Sequence, residues 1–387
     1  MNKKILLLTL VHPDFLPPVY AVAQVLRDLE FDIHILTFDS FHTESFELGE
    51  NIVLETLGKH YDATTFERLK FRNRFTKRAM ELVAEGPIGI ISFCPFSFQC
   101  GLKIKKDTPL IYIALEIADF ILPSFLKSPL SNYRNLEAIK NMAKADLLAT
   151  PSIQRSAWLA GRCHLDFLPY TILNTAYLKE EEENYDELFK KLVPPEISDK
   201  KIVLYTGAIS PDQCILELVR AFELVNDPDS ALIIAGLRDN EYCNDLQELV
   251  QKCKSVDRIK LFHYMPRNQI FALQSNAHIG VCMLKEYQNK VKSKMMAPNK
   301  VGEYLSKKLH ILGIMTEYLR PFKQMGFASL SDSSTPREIS KALKESLIEV
   351  NKKDYKEKIE TFVREYYCMQ QQLQPVVRYL NEIVSLV

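Results

Sequence analysis

The sequence predicts an α/β protein built from two Rossmann-like, doubly wound domains. Three observations carry this prediction. Short apolar runs alternate with helical periodicities along both halves of the chain, the signature of βαβ units and parallel sheets. One charged, proline-bearing stretch, "LKEEEENYDELFKKLVPPEISDKK", interrupts the alternation. The length of 387 residues exceeds what one ordinary hydrophobic core serves, so the chain is expected to divide. The boundaries expected are a first domain over residues 1–177, a linker over 178–200 and a second domain over 201–365.

In the first half, Ile5–Val11, Asp32–Thr37, Asn51–Leu57, Ile88–Ser92, Leu110–Leu115 and Leu147–Ala149 read as strands, and Pro18–Leu29 as a helix. In the second half the strands are read at Ile202–Thr206, Ala231–Ala235, Ile259–His263, Ile279–Leu284 and His310–Ile314. Helices are read at Cys214–Val225, Asn240–Lys254, Arg267–Gln274 and Pro298–Lys308, and the final stretch, about 50 residues, reads as helical. Open α/β sheets bind ligands beyond the carboxyl ends of their strands, so a crevice served by both sheets is the expected site.

Composition narrows the classes. A hydrophobic share of 47% with 25% charged residues fits a soluble globular chain. Lys+Arg and Asp+Glu both number 49, which argues against bulk nucleic-acid binding, because a phosphate backbone calls for a basic excess. Cys94, Cys100, Cys163, Cys214, Cys243, Cys253, Cys282 and Cys368 form no CxxC pair, and several fall in apolar runs. They read as reduced thiols of a cytoplasmic protein. The opening "MNKKILLLTLVHPDF" imitates a signal peptide. Its apolar run is short, however, and His-Pro-Asp follows it, so a first β-strand is expected. No uncharged run reaches the roughly 18 residues of a membrane span.

Chemistry is expected in "MMAPNKVGEYLSKKLHIL". Pro298 suits the first position of a helix. The amides of Asn299, Lys300 and Val301 would then be free donors for an anion. A helix dipole offers only about half a charge, so Lys300, with Lys290, Lys292 and Lys294 before it, is the expected cation. Glu303 lies about 200° around the helix from Val301, off the apolar stripe. It is either a solvated carboxylate or an acceptor for a diol. In "IVLYTGAISPDQCILELVRAF" a strand runs into Gly207, and "ALIIAG" repeats that geometry at Gly236. Either glycine allows a ligand to approach backbone, or marks an ordinary turn.

Taken together, "KIVLYTGAISPDQCILELVRAF", "ALIIAG", "KLFHYMPRNQIF", "HIGVCML" and "APNKVGEYLSKKLHIL" resemble the nucleotide-binding half of GT-B glycosyltransferases, of the retaining, family-four type. The resemblance covers about residues 200–347, and more loosely "HPDFLPPVYAVAQVLRD", "YIALEI", "ADLLATPSIQRSAWLAG" and "LPYTILN" in the first half. It implies a nucleotide-sugar donor in the second domain and an acceptor-side first domain, with a terminal helix, about 366–387, packing back on the latter. It implies that Glu303 holds the ribose hydroxyls and that Pro298, Asn299 and Lys300 face the diphosphate and donor sugar. Gly207 would lie against the diphosphate, His263, Tyr264 and Met265 against the base, and Gln213 and Gly236 are further donor-binding positions. Glu116, in the cleft, and His12 are the candidate catalytic groups, with Asp14 beside the acceptor; the alternatives are a surface or structural glutamate and a structural strand-end histidine. The implied activity is transfer of a hexosyl-type sugar, with retention, to a glycan, lipid-linked or protein acceptor. No tightly bound cofactor or metal is expected, since no ligand cluster is visible.

The chain departs from the family's pattern at several places. Relatives often carry an arginine after the first glycine and a lysine five residues on, where this chain has Ala208 and Gln213. Met295 stands for a glutamate, His263 for a glycine and Leu115 for a histidine. The alternative is therefore a catalytically degenerate binding subunit that partners another glycosyltransferase. Finally, "TFERLKFRNRFTKRAMELV" sets Phe71, Phe75, Ala79 and Leu82 on one stripe and crowds Arg72, Arg74, Lys77 and Arg78 around it. That face is either solvated or meets an anionic acceptor or the inner face of the membrane.

Overall fold

The computed structural model describes residues 3–38, 48–58, 65–116, 136–179, 184–285 and 295–386. Lys290, Lys292 and Lys294 lie outside these residues. The chain forms two compact units, one of Met1–Tyr177 with Met369–Val387, the other of Leu178–Cys368.

The first unit is a seven-stranded parallel sheet in the order β3-β2-β1-β4-β5-β6-β7. Its strands are β1 (Lys4–Leu8), β2 (Asp32–Thr37), β3 (Ile52–Thr56), β4 (Gly89–Ser92), β5 (Leu110–Ile113), β6 (Leu147–Thr150) and β7 (Tyr170–Thr171). The apolar start of the chain is thus a central strand, with Ile5 through Leu8 fully buried. Helix α1 (Pro17–Asp28) begins at a proline pair and has Val19, Val22 and Leu26 buried among β-strand residues. Helix α2 (Thr65–Ala84) buries Phe75, Ala79 and Leu82 on the opposite side. Helix α3 (Pro95–Ile104) is capped by Cys94, whose sulfur accepts from the amide of Ser97. Helix α4 (Ile153–Cys163) is capped by Ser152.

Met369, Leu373, Val376, Val377 and Leu380, from the end of the chain, join Ile5, Leu7 and Ile35 in one apolar cluster. The amide of Met369 donates to the carbonyl of Ala176 at 2.9 Å. The crossing between units therefore falls at residues 177–178 and 368–369.

The second unit is a six-stranded parallel sheet in the order β10-β9-β8-β11-β12-β13. Its strands are β8 (Lys201–Thr206), β9 (Ser230–Leu237), β10 (Ile259–His263), β11 (Ile279–Cys282), β12 (His310–Ile314) and β13 (Ala328–Ser331). This is the doubly wound order whose strand sequence reverses beside the first strand, here between β8 and β11. β13 was not expected; it is four residues long and follows a short helix. The charged stretch after residue 177 reads from its sequence as a solvated linker with a short helix, and such a helix is present. It carries helix α5 (Asp186–Leu192), with Phe189 buried and Tyr185 beside Phe271 at 6.1 Å between ring centroids. No helix among the described residues is long and apolar enough to cross a membrane.

Candidate functional site

The reversal point of the second sheet gathers most of the donor-site residues expected from the sequence. The buried strand β8 ends at Thr206, and Gly207 follows with φ +120°. Gly236, near the end of the neighbouring β9, has φ +127°. The amide of Gly207 donates to the carbonyl of Ala235 at 3.0 Å. A Cβ placed on Gly236 would stand 2.0 Å from the oxygen of Gly207, and one on Gly207 would stand 2.9 Å from Cε of Lys300. Gly236 thus needs glycine on two grounds, the backbone angle and the backbone oxygen in the way, and Gly207 on the ground of its backbone angle.

Helix α9 here denotes Asn299–Ser306; α6 (Ile215–Val225), α7 (Glu241–Gln251) and α8 (Arg267–Asn276) precede it. It is fastened by Tyr304, a fully buried side chain whose hydroxyl accepts from the amide of Thr206 at 3.0 Å and meets the Thr206 hydroxyl at 3.1 Å. The Tyr304 ring fills the space over Gly280 of β11, where a Cβ would meet it at 2.4 Å. The fastening brings Lys300 over Gly207. Its ammonium lies 3.9 Å from the ring centroid of Tyr205 and 3.4 Å from Oε1 of Gln213, to which it donates. Burial pushes this ammonium down to about 8, against the opposing pull of Cys282 and Glu303. Lys300 is thus half-charged near that pH, a cation poised to gain charge when an anion arrives.

Three expectations about this helix change. Pro298 is the residue before the helix, not its first, with φ −73° and ψ 129°. The amide of Val301 already donates to the carbonyl of Pro298 at 3.3 Å, so the donors left among the described residues are the amides of Asn299 and Lys300. Glu303 is not a solvated carboxylate: it is 9% exposed. Arg267 of α8 donates to its Oε1, and the amide of Gln274, also of α8, donates to Oε2 at 3.1 Å. The helical wheel placed Glu303 off its own helix's apolar stripe, but a second helix covers that flank.

His263 and Tyr264 are exposed and Met265 is buried; His263 ends the edge strand β10, past a register shift between Phe262 and His263, and Tyr264 and Met265 follow it. The segment expected at the base therefore ends two strands away from β8.

In the first unit, His12 and Asp14 follow β1 and come together. His12 is 1% exposed, the amide of Asp14 donates to its Nδ1 at 3.3 Å, and Oδ2 of Asp14 is 3.6 Å from the same nitrogen. Glu116 is exposed beyond the end of β5. Arg155 of α4, 7% exposed, donates to the carbonyl of Leu115 at 2.5 Å and so pins the turn that presents Glu116. Burial pushes the Cys94 thiol up, and the nearby charge of Glu116 adds to this.

The basic face of α2 divides. Arg78 clasps Glu55 at 2.6 and 3.0 Å and Glu81 at 2.9 Å. Arg72 stacks on Phe96, 5.1 Å from the ring centroid. Arg74 and Lys77 stay exposed, as does Lys70. Among the described residues no group of three His, Cys, Asp or Glu could hold a metal ion.

Arg267, Gln274, Thr206 and Arg155 are the site-building residues that sequence reasoning did not single out, and Tyr304 is read from the sequence only as a member of the apolar stripe with Val301, Leu305 and Leu309. Gln274 carried the clearest signal, an amide inside the apolar run "IFALQSNAHIG".

In fold, the chain resembles solved glycosyltransferases. Residues 186–286 match the family model described as Glycosyl transferases group 1. No curated protein matches the chain in sequence. Among solved structures, a glycosyltransferase from Rickettsia africae is 14% identical, with a TM-score of 0.68 and 98% of each chain covered. Sucrose-phosphate synthase from Thermosynechococcus elongatus is also 14% identical, with a TM-score of 0.69 over 98% of this chain and 99% of that one. Anabaena HepE in complex with UDP-glucose is 13% identical, with a TM-score of 0.66 over 98% and 99%.

Proposed function

We propose that the chain is a glycosyltransferase that moves a sugar from a nucleotide-diphosphate donor to a glycan, lipid-linked or protein acceptor, with retention. The observation that carries this reading is Lys300, set over Gly207 at the reversal point of a sheet whose first strands lie within the family match. The amides of Asn299 and Lys300 and the Lys300 ammonium would receive the diphosphate. The same groups would stabilise the charge that develops there as the glycosidic bond breaks. Glu303 would hold the ribose. The first unit would take the acceptor, with Glu116 and His12 near the reacting groups and Asp14 beside them. Since HepE was solved with UDP-glucose, a hexosyl donor on uridine diphosphate is the first to try. The exposed pair Arg74 and Lys77 would meet an anionic acceptor or lipid surface.

A thermal-shift panel of UDP-, GDP- and ADP-sugars tests the reading. One family of donors is expected to raise the unfolding midpoint and to be turned over. No shift with any donor or nucleoside diphosphate would contradict it. Binding without turnover would favour a degenerate binding subunit, a reading supported by Ala208 and Gln213 standing where relatives carry cations. A cytoplasmic location, at most peripheral to a membrane, belongs to the same proposal.

A further inference from the structure

Glu303 is almost fully buried, yet both of its carboxylate oxygens are in use before any ligand arrives. Arg267 donates to Oε1 and Gln274 donates to Oε2 at 3.1 Å. We propose that Arg267 and Gln274 form a fixed frame that turns Glu303 into a receptor for a vicinal diol, which makes Arg267 a positioning residue for nucleotide specificity. The inference rests on the donor reading above and adds what selects ribose.

The geometry argues for a frame rather than for a plain structural ion pair. Both partners stand on one short helix, α8, two turns apart, so they grip the two oxygens from one rigid support. Arg267 is itself held, since its guanidinium lies 4.7 Å from the ring centroid of Phe271, one turn on. A planar guanidinium stacked on an aromatic face keeps its fork in one orientation. Gln274 is fully buried, and its Oε1 has no hydrogen-bond partner among the described residues. Leaving a buried carbonyl unpaired is costly. The amide nevertheless keeps its NH2 toward Glu303, because the flipped amide would set oxygen against carboxylate oxygen. The fold thus accepts an orphaned acceptor at the one place where doing so fixes the carboxylate plane.

A carboxylate offers about four acceptor sites, two on each oxygen. Arg267 takes one on Oε1 and Gln274 one on Oε2. One site then remains on each oxygen, and the frame serves a diol if Arg267 and Gln274 leave the two on the ligand side. Two adjacent hydroxyls fill such a pair, and a single hydroxyl leaves one empty. Free rotation of the carboxylate would blur this distinction, and the frame prevents rotation. Glu303 keeps 9% of its surface exposed, and the proposal requires that its carboxylate be reached there.

The test is equilibrium titration of the full chain with UDP, GDP and ADP and with their 2′-deoxy counterparts, on wild type, R267Q, R267K and Q274M. Wild type is expected to prefer the ribonucleotide about tenfold or more, the factor that one hydrogen bond supplies. R267Q should weaken the ribonucleotide and leave the deoxynucleotide nearly unchanged, so that the preference falls to about twofold or less. R267K should restore part of it. Q274M, which keeps the volume but removes the second donor, should lower the preference in the same way, and it decides the matter if R267Q does not fold. A merely structural pair would lower the unfolding midpoint while leaving the ratio intact. A folded R267Q or Q274M with the wild-type preference would overturn the frame and leave the donor reading standing. Wild type that binds no nucleoside diphosphate would overturn the donor reading. Wild type that binds without preferring ribose would overturn the assignment of Glu303, and the frame with it.

Discussion

Lys300 is the residue on which the site's electrostatics turn. Taking an ammonium out of water disfavours its charged form, and here the effect brings the group from the ordinary lysine range to about 8. The sign of the pH dependence follows. Below about 8 the side chain is charged and attracts a diphosphate; above it the attraction fades. Nucleoside diphosphate affinity should therefore fall by about tenfold between pH 7 and pH 9, since each pH unit past the midpoint removes tenfold of the charged form. Stability runs the other way. Between about 8 and the unfolded lysine value the unfolded chain binds more protons, so the folded state gains stability as pH rises through that window. In Lys300→Met both slopes should flatten. Calorimetry at pH 7 and pH 9 checks this. Lys300 itself was legible in "APNK", but its burial was not, because the Tyr205 ring and Gln213 that enclose it come from a segment far away in sequence.

At the scale of elements, the fastening of α9 to β8 decides whether the turn at Lys300 faces Gly207. Tyr304→Phe keeps the ring on Gly280 and removes the hydroxyl that receives the Thr206 amide. A buried donor left unpaired costs about 1–3 kcal/mol, so the variant should lose that much stability in denaturant titration, and donor affinity should fall with it. Much of this level was readable in advance. The strand at β10, read over Ile259–His263, and that at β12, read over His310–Ile314, have the boundaries expected from their apolar runs. β7, two residues long, is too short for a period to declare itself; β13 was missed although, at four residues, it is as long as β4, β5, β6 and β11, which were read. The wheel of α9 gave the correct apolar stripe, Val301, Tyr304 and Leu305, all fully buried. It could not show that α8 covers the opposite flank, because Arg267 and Glu303 are 36 residues apart. The helix start was misread by one residue at Pro298, since a proline suits either side of that boundary.

For the molecule as a whole, two units with separate cores mean that damage to one need not reach the site in the other. Leu380 is fully buried in the first unit's core, and its Cδ2 lies 3.1 Å from where a Cβ on Gly89 would be. Leu380→Ala should cost about 2–5 kcal/mol, read as an early transition in thermal unfolding. Nucleotide affinity, which the proposed function assigns to the second unit, should be unchanged in the folded protein at 25 °C. The central claim is that the reversal point of the second sheet binds a nucleoside diphosphate through Lys300. Calorimetric titration of UDP, GDP and ADP onto wild type and Lys300→Met at pH 7 tests it most directly. The expected result is saturable binding of at least one of the three by wild type, weakened tenfold or more in Lys300→Met, because a charge-assisted hydrogen bond contributes about 1.5–3 kcal/mol. Equal binding by both proteins, or no binding by wild type, would contradict it.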